Sequence, residues 1–264
     1  MADVEGVRTF QAPADAYDAF MGRYSQQLAP LFADFCELSR GQRLLDVGCG
    51  PGAFTSVAVA RLGIQAVSGI DPAPHFVETN RARHPGLDVR QAPAEAIPYG
   101  AGEFDVAASQ LVIHFLSDPA QGAREMARVV RTGGTVAACV WDFSQGMEML
   151  RAFWDAALSL WPDAPDEGHV LRFGREHELA DLLGDAGLTH LVESTLTVTS
   201  LYDSFAELWS TLLGGIGPAG AYLLSKDPGD RNALREALFQ RLGRPTGPFI
   251  LQAVARAVRA TTPA

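Results

Sequence analysis

The 264-residue chain predicts an α/β fold built on a Rossmann-like, doubly wound sheet. Three observations carry that expectation. Short, nearly continuous apolar runs alternate with stretches of helical periodicity. Continuous rather than alternating apolarity marks strands covered by helices on both faces, which is how parallel sheets are buried. A glycine-rich turn, Gly48-Cys49-Gly50-Pro51-Gly52, closes the first apolar run and opens a helix. Right-handed crossovers between such units wind the sheet.

In order, residues 15–38 place Tyr17, Phe20, Met21, Tyr24, Leu28, Leu31, Phe32 and Phe35 at three- and four-residue spacing, a helix. RLLDV (43–47) is the first strand and 53–62 the next helix. QAVSGI (65–70) is the second strand, ending at Asp71, followed by a helix from Pro74 to Arg83. LDVRQ (87–91) and FDVAAS (104–109) are the third and fourth strands. A helix from about Pro119 to Val130 leads into GTVAACVW (134–141), the fifth. Residues 147–160 and 175–186 read as helices around a 161–168 loop, and 188–200 alternates like a strand. Residues 203–213 and 230–242 read as helices separated by GGIGPAG and KDPGD, and 248–258 resumes an extended pattern. No repeat interrupts the chain. It divides as one domain: an N-terminal helical cap (15–38), a core (41–142), helices and a sixth strand (143–199), a helical lid insertion (200–246) and the last strand (247–258).

Composition excludes several function classes. Against 31 acidic residues stand 21 basic ones, a net charge of −10, and binding to nucleic acid phosphates needs clustered positive charge. Lys226 is the single lysine, so a P-loop or a lysine Schiff base elsewhere is ruled out. Cys36, Cys49 and Cys139 form no CxxC pair, which predicts neither disulfide framework nor zinc site. A polar N-terminus and no apolar run near ~20 residues predict a cytoplasmic protein without a membrane span.

The glycine turn and the acid at the end of the second strand, in Gly69-Ile70-Asp71-Pro72, form a pair with chemical meaning. Glycines let a ligand approach the backbone, and an ionised carboxylate accepts two hydrogen bonds from a ribose diol. A nicotinamide site has both elements, and the 21 residues from Gly50 to Asp71 suit it. However, Asp46 lies two residues before the first glycine, where its charge would oppose a pyrophosphate but favour an ammonium and a sulfonium.

LLDVGCGPG, GIDPAPHFV, APAEAIPYGAGEFDVAAS and RVVRTGGTVAACVWD, in this order, resemble the successive motifs of class I S-adenosylmethionine-dependent methyltransferases. The likeness covers about residues 40–142. It runs nearest to the small-molecule branch that includes ubiquinone and menaquinone biosynthesis methyltransferases, which YDAFMGRYS also resembles. The resemblance implies a seven-stranded sheet with the last strand antiparallel, and S-adenosylmethionine as cofactor with S-adenosylhomocysteine as product. Gly48, Cys49, Gly50 and Gly52 would then pass under the methionine and ribose. Asp46 would hold the loop and the amino end, Asp71 the ribose hydroxyls, and Pro72 would pack near the adenine. The family's GDAE-like segment is Ala92-Pro93-Ala94-Glu95 here, so Ala94 backbone groups or the Glu95 side chain would replace a lost aspartate.

The exit of the fourth strand reads Ser109-Gln110-Leu111-Val112-Ile113-His114. The Pro-Pro-aromatic motif of nucleic acid amine methyltransferases is absent. Gln110 stands where catechol-type enzymes carry a metal-binding aspartate, so no metal is expected. Ser109 and Gln110 fall among the cofactor contacts. His114 is the candidate general base, or else a packed histidine at a strand–helix junction. Arg23 would bind the cofactor carboxylate with Tyr17 closing the pocket, or else lie at the surface. Trp141, Phe143, Phe205, Trp209 and Leu213 either line an acceptor pocket or belong to the core. The expected activity is methyl transfer to a small, partly apolar metabolite by a monomer or homodimer. A non-catalytic S-adenosylmethionine binder and a nicotinamide-dependent oxidoreductase are the alternatives.

Overall fold

The computed structural model describes residues 18–263. A π-helical turn (Asp18–Gly22) runs into α1 (Arg23–Phe35), then β1 (Leu44–Val47), α2 (Ala53–Leu62), β2 (Val67–Asp71), α3 (Pro74–Arg83), β3 (Asp88–Gln91) and β4 (Phe104–Gln110). A 3-10 turn (Ile113–Phe115) precedes α4 (Pro119–Val129), β5 (Val130–Trp141), α5 (Glu148–Leu160), α6 (Glu167–Val170), α7 (Glu178–Asp185) and β6 (Thr189–Tyr202). The insertion α8 (Phe205–Leu212), α9 (Gly217–Ser225) and α10 (Pro228–Arg241) returns the chain to β7 (Phe249–Thr261).

The seven strands form one sheet in the order β3-β2-β1-β4-β5-β7-β6. The first five pair in parallel, and β7 runs antiparallel between β5 and β6. Side-chain alternation divides the core into two layers. Leu44, Val106, Ala137, Cys139 and Trp141 face α1, α2, α5 and the insertion. Leu45, Val47, Ala107, Val136, Ala138 and Val140 face α4 and α7. The same alternation puts Asp46 under α2 and sends Gln110 toward α1, where its amide donates to the Ser25 carbonyl at 3.2 Å.

Two departures from the expected elements have local causes. The GGIGPAG stretch reads as a loop, yet α9 begins inside it. Pro218 sits in the first turn of α9, where its missing N–H costs nothing, and Gly220 packs on the Gly215 backbone, where a Cβ would fall 2.6 Å away. β5 starts at Val130 rather than 134 because Val130 pairs with Phe104 before a register shift brings Val106 opposite Thr135.

The N-terminal helix is tied to the insertion. The Arg23 guanidinium donates to Glu207 at 2.8 Å and to the Leu201 carbonyl at 2.9 Å, and it lies 3.9 Å over the Tyr202 ring. The Tyr24 and Tyr202 hydroxyls meet at 3.1 Å below it. This corrects the cofactor role expected for Arg23: its Nη2 is held in a cap-to-insertion joint, and the residue lines neither cavity beside the glycine loop. Arg23→Met should therefore lower thermal stability by about 1 kcal/mol while leaving S-adenosylhomocysteine affinity unchanged, as melting curves and calorimetry would show. Tyr17, expected to act with it, lies outside the described residues.

Candidate functional site

The carboxyl ends of β1, β2 and β4 open onto a cavity where strand order reverses between β1 and β4, the position at which open α/β sheets take ligands. The glycine turn forms one wall. Gly48 and Cys49 donate their N–H groups to the Ile70 carbonyl at 2.8 and 2.9 Å, which folds the turn back over β2. Gly48 has φ +73°, and a Cβ there would fall 2.4 Å from Val112 Cγ2. Only glycine lets the turn and the β4 exit come this close.

Asp71 sits 6% exposed on the facing wall, its oxygens accepting from Gly50 N and Ala73 N at 2.9 Å each. Burial pushes its carboxyl up to about 6 against the pull of those two N–H groups. Each oxygen keeps a second lone pair for a ligand. Phe76, Pro72, Ala94 and Leu116 supply an apolar slot beside it. Glu95 spends Oε1 on the Ser117 and Asp118 N–H groups, at 2.9 and 3.2 Å, and its buried Oε2 has no partner among the described residues.

A second cavity continues from the first past Gly48, Gly50, Pro51, Gln110 and Leu111, adding Ser25, Asp46, Cys49, Ala53 and Phe54. Asp46 accepts from the Thr55 hydroxyl at 2.6 Å, and burial, with Asp71's charge adding to it, pushes its carboxyl up to about 7. Asn80 donates to Thr55 Oγ1 at 3.1 Å and to the Gly50 carbonyl at 3.3 Å, and its oxygen meets His84 Nδ1 at 2.8 Å. A chain of polar groups thus clamps the glycine loop from below. The sequence reading missed it; the signal was Asn80 four residues after Phe76 on the buried stripe of α3. Gln110 Oε1 is buried without a partner among the described residues.

Two expected contacts take other roles. Ser109 points to the opposite face of β4, fully buried, and lines neither cavity. Gly52 (φ +103°) caps α2, packed on His84 and Asn80, and likewise lines neither.

Leu111 joins these cavities to a third. It holds φ +65°, a strained value for a bulky side chain, fixed by its N–H on the Cys139 carbonyl at 2.8 Å. The third cavity is lined by Phe20, Met21, Trp141, Phe143, Leu150, Ile216 and Pro218, with His114 and Glu167 as its polar groups. The His114 ring lies 3.9 Å from Phe115 and 5.1 Å from Phe143, and its buried Nδ1 has no partner among the described residues. Burial pushes the imidazole down to about 3, so it stands neutral. A general base working near neutrality needs a value near 7; burial thus opposes the base role expected of His114. Of the expected aromatic lining, Trp141 and Phe143 reach this cavity, whereas Phe205 and Trp209 pack in the core.

A reversed parallel sheet, a glycine loop at its carboxyl edge, a buried acid one strand along and an antiparallel seventh strand define a nucleoside-binding Rossmann-like fold of the methyltransferase kind. Residues 45–138 match the methyltransferase domain family. An uncharacterized protein of Mycobacterium tuberculosis is 34% identical over 129 residues, 47% of this chain and 46% of that protein. The malonyl-acyl-carrier-protein O-methyltransferase of Halorhodospira halophila is 28% identical over 200 residues, 74% of this chain and 65% of that one. In fold, the chain is similar to a SAM-dependent methyltransferase from Thermotoga maritima, with a TM-score of 0.53 at 18% identity, covering 94% and 98% of the two chains. The chain spans about half the length of the curated relatives it matches. Residues 45–138 thus resemble a methyltransferase domain, and the fold around them is that of S-adenosylmethionine-dependent methyltransferases, enzymes whose cofactor is S-adenosylmethionine.

The residues present fit that cofactor. Among the described residues no Arg or Lys lines either cavity, and the buried acids there are Asp46 and Asp71, which when ionised suit a sulfonium and an ammonium and disfavour a pyrophosphate.

Proposed function

We propose that the chain transfers a methyl group from S-adenosylmethionine to a small, partly apolar acceptor. One observation carries the reading: the cavities beside the glycine loop and the aromatic cavity share Leu111. S-adenosylmethionine, when bound, supplies an electrophilic methyl carbon on a sulfonium. The chain's part is binding, alignment and exclusion of water, which suffice for much of an in-line displacement. Asp71 accepts the ribose hydroxyls, Phe76 and Leu116 flank the base, and Glu95 Oε2 is the acceptor available where the family's aspartate is lost. Gln110 Oε1 and the loop clamped through Asp46 receive the amino-acid end. His114 acts as a wall and neutral hydrogen-bonding group toward the acceptor.

The test is calorimetric titration with S-adenosylhomocysteine, followed by release of that product from S-adenosylmethionine in the presence of acceptors. Micromolar binding with acceptor-dependent release is expected; absent binding rejects the reading, and binding without turnover on any acceptor leaves a pure binder. Because His114 is neutral throughout, His114→Gln should lower turnover without changing the shape of the pH profile between about pH 5 and 9.

A further inference from the structure

The cofactor site does not use Glu167, a carboxylate only 4% exposed that nonetheless lines the aromatic cavity. We infer that this cavity takes a partly apolar amine, and that Glu167 is the residue that binds its cationic nitrogen; the inference rests on the methyl-transfer reading of the neighbouring site.

The Trp154 indole N–H donates to Glu167 Oε2 at 2.7 Å, which fixes the carboxyl group against α5 and aims it at the cavity wall. A buried carboxylate is costly unless it is paired. The nearest cation on α5 is taken by other acids. Arg151, one turn before Trp154, forks onto Asp166 at 2.7 and 3.1 Å and reaches Asp155 at 2.8 Å. Arg172, 4.9 Å from the Phe173 ring, lines with Glu167 the adjoining outer cavity but not the aromatic one. Among the described residues no Lys or Arg lines the aromatic cavity, and His114 is neutral. The pocket therefore combines one acid with aromatic faces from Phe20, Trp141 and Phe143, a combination that favours an alkyl- or arylammonium ion over a neutral or anionic molecule.

Phenethylamine, 2-phenylethanol and 3-phenylpropionate serve as probes, titrated by calorimetry into the wild type and Glu167→Gln, each with and without S-adenosylhomocysteine. The glutamine keeps an oxygen for the Trp154 indole, and the melting temperature checks its fold. The wild type should bind the amine about tenfold or more tighter than the alcohol and the acid, and the variant should lose that preference. S-adenosylhomocysteine affinity should not change. Equal affinity of both proteins for phenethylamine, preference for the acid, or no amine binding at millimolar concentration overturns the inference.

A second measurement needs no variant. Burial pushes Glu167 up to about 7, so phenethylamine affinity of the wild type should rise as pH increases through about 7 and level off above it. The groups around the carboxyl are Asp166 and His169 on its own segment, Arg151 on α5, His114 and Arg172; a flat profile counts against the assignment. If S-adenosylhomocysteine fails to bind while the amine preference still depends on Glu167, the methyl-transfer reading falls and the pocket assignment stands. The converse result removes the amine alone.

Discussion

Asp71→Ala should weaken S-adenosylhomocysteine binding by about tenfold to a hundredfold, the loss of one charge-assisted bond worth about 1.5–3 kcal/mol. The substitution does two things at once. It removes the carboxylate that faces the cavity, and it leaves the Gly50 and Ala73 N–H groups without their acceptor. Asp71→Asn separates them, because an amide oxygen can still accept one N–H but carries no charge. The pH dependence has a definite sign. A carboxyl raised to about 6 in the fold, against about 3.9 in the unfolded chain, holds more protons folded than unfolded between those values. Its stabilising contribution is complete below about pH 4 and is lost as pH rises through about 6. Asp71→Asn should therefore gain stability relative to the wild type as pH rises from about 4 to 7, in melts run side by side. An unchanged affinity in Asp71→Ala would remove the residue from the site.

Gly48→Ala should cost about 1–3 kcal/mol of stability and about tenfold or more in cofactor affinity. The cost has two sources. An L residue at φ +73° is strained, and the new methyl would sit 2.4 Å from Val112 Cγ2. Val112 lines the same cavity, so its displacement changes the site as well as the fold. Gly50→Ala is the matched control: its φ of +51° carries a similar backbone cost, but no atom lies within 4 Å of the added Cβ. Adding Val112→Ala to Gly48→Ala should recover part of the stability, the non-additivity that contacting residues show in a double-mutant cycle. Equal effects of Gly48→Ala and Gly50→Ala on stability would refute the close-packing argument.

Much of the core was legible in the sequence. β1, β2 and β4 are apolar because they are buried on both faces, so their runs stand out without any partner being known. The helices α2 and α3 began and ended where expected, at Gly52 and Gly63 and from Pro74 to Arg83. The cofactor loop was legible for the same local reason: glycines and an acid at strand ends have few other uses. The insertion was less so. α9 carries three small residues and a proline that read as a turn, and only packing on Gly215 makes them helical.

The site residues divide along the same line. Asp71, Gly48, Gly50 and Gln110 follow from their place at strand ends, and the structure brings them to one cavity edge. Arg23 looked like a ligand for a carboxylate because it is a cation on an apolar helix; its partner is Glu207, 184 residues away. Asn80, Thr55 and His84 carry no motif, yet they fasten the loop. Glu167 sits in an acidic, proline-rich stretch where nothing distinguishes it from Asp163 or Asp166.

The sequence alone determined the sheet and its cofactor edge, because periodicity and glycine geometry are local and repeat along the chain. Which groups face one another across that edge was decided by tertiary structure. Burial, the contact of Arg23 with the insertion and the aim of Glu167 depend on elements far apart in sequence, and burial raises the carboxyls of Asp46, Asp71 and Glu167 and keeps His114 neutral.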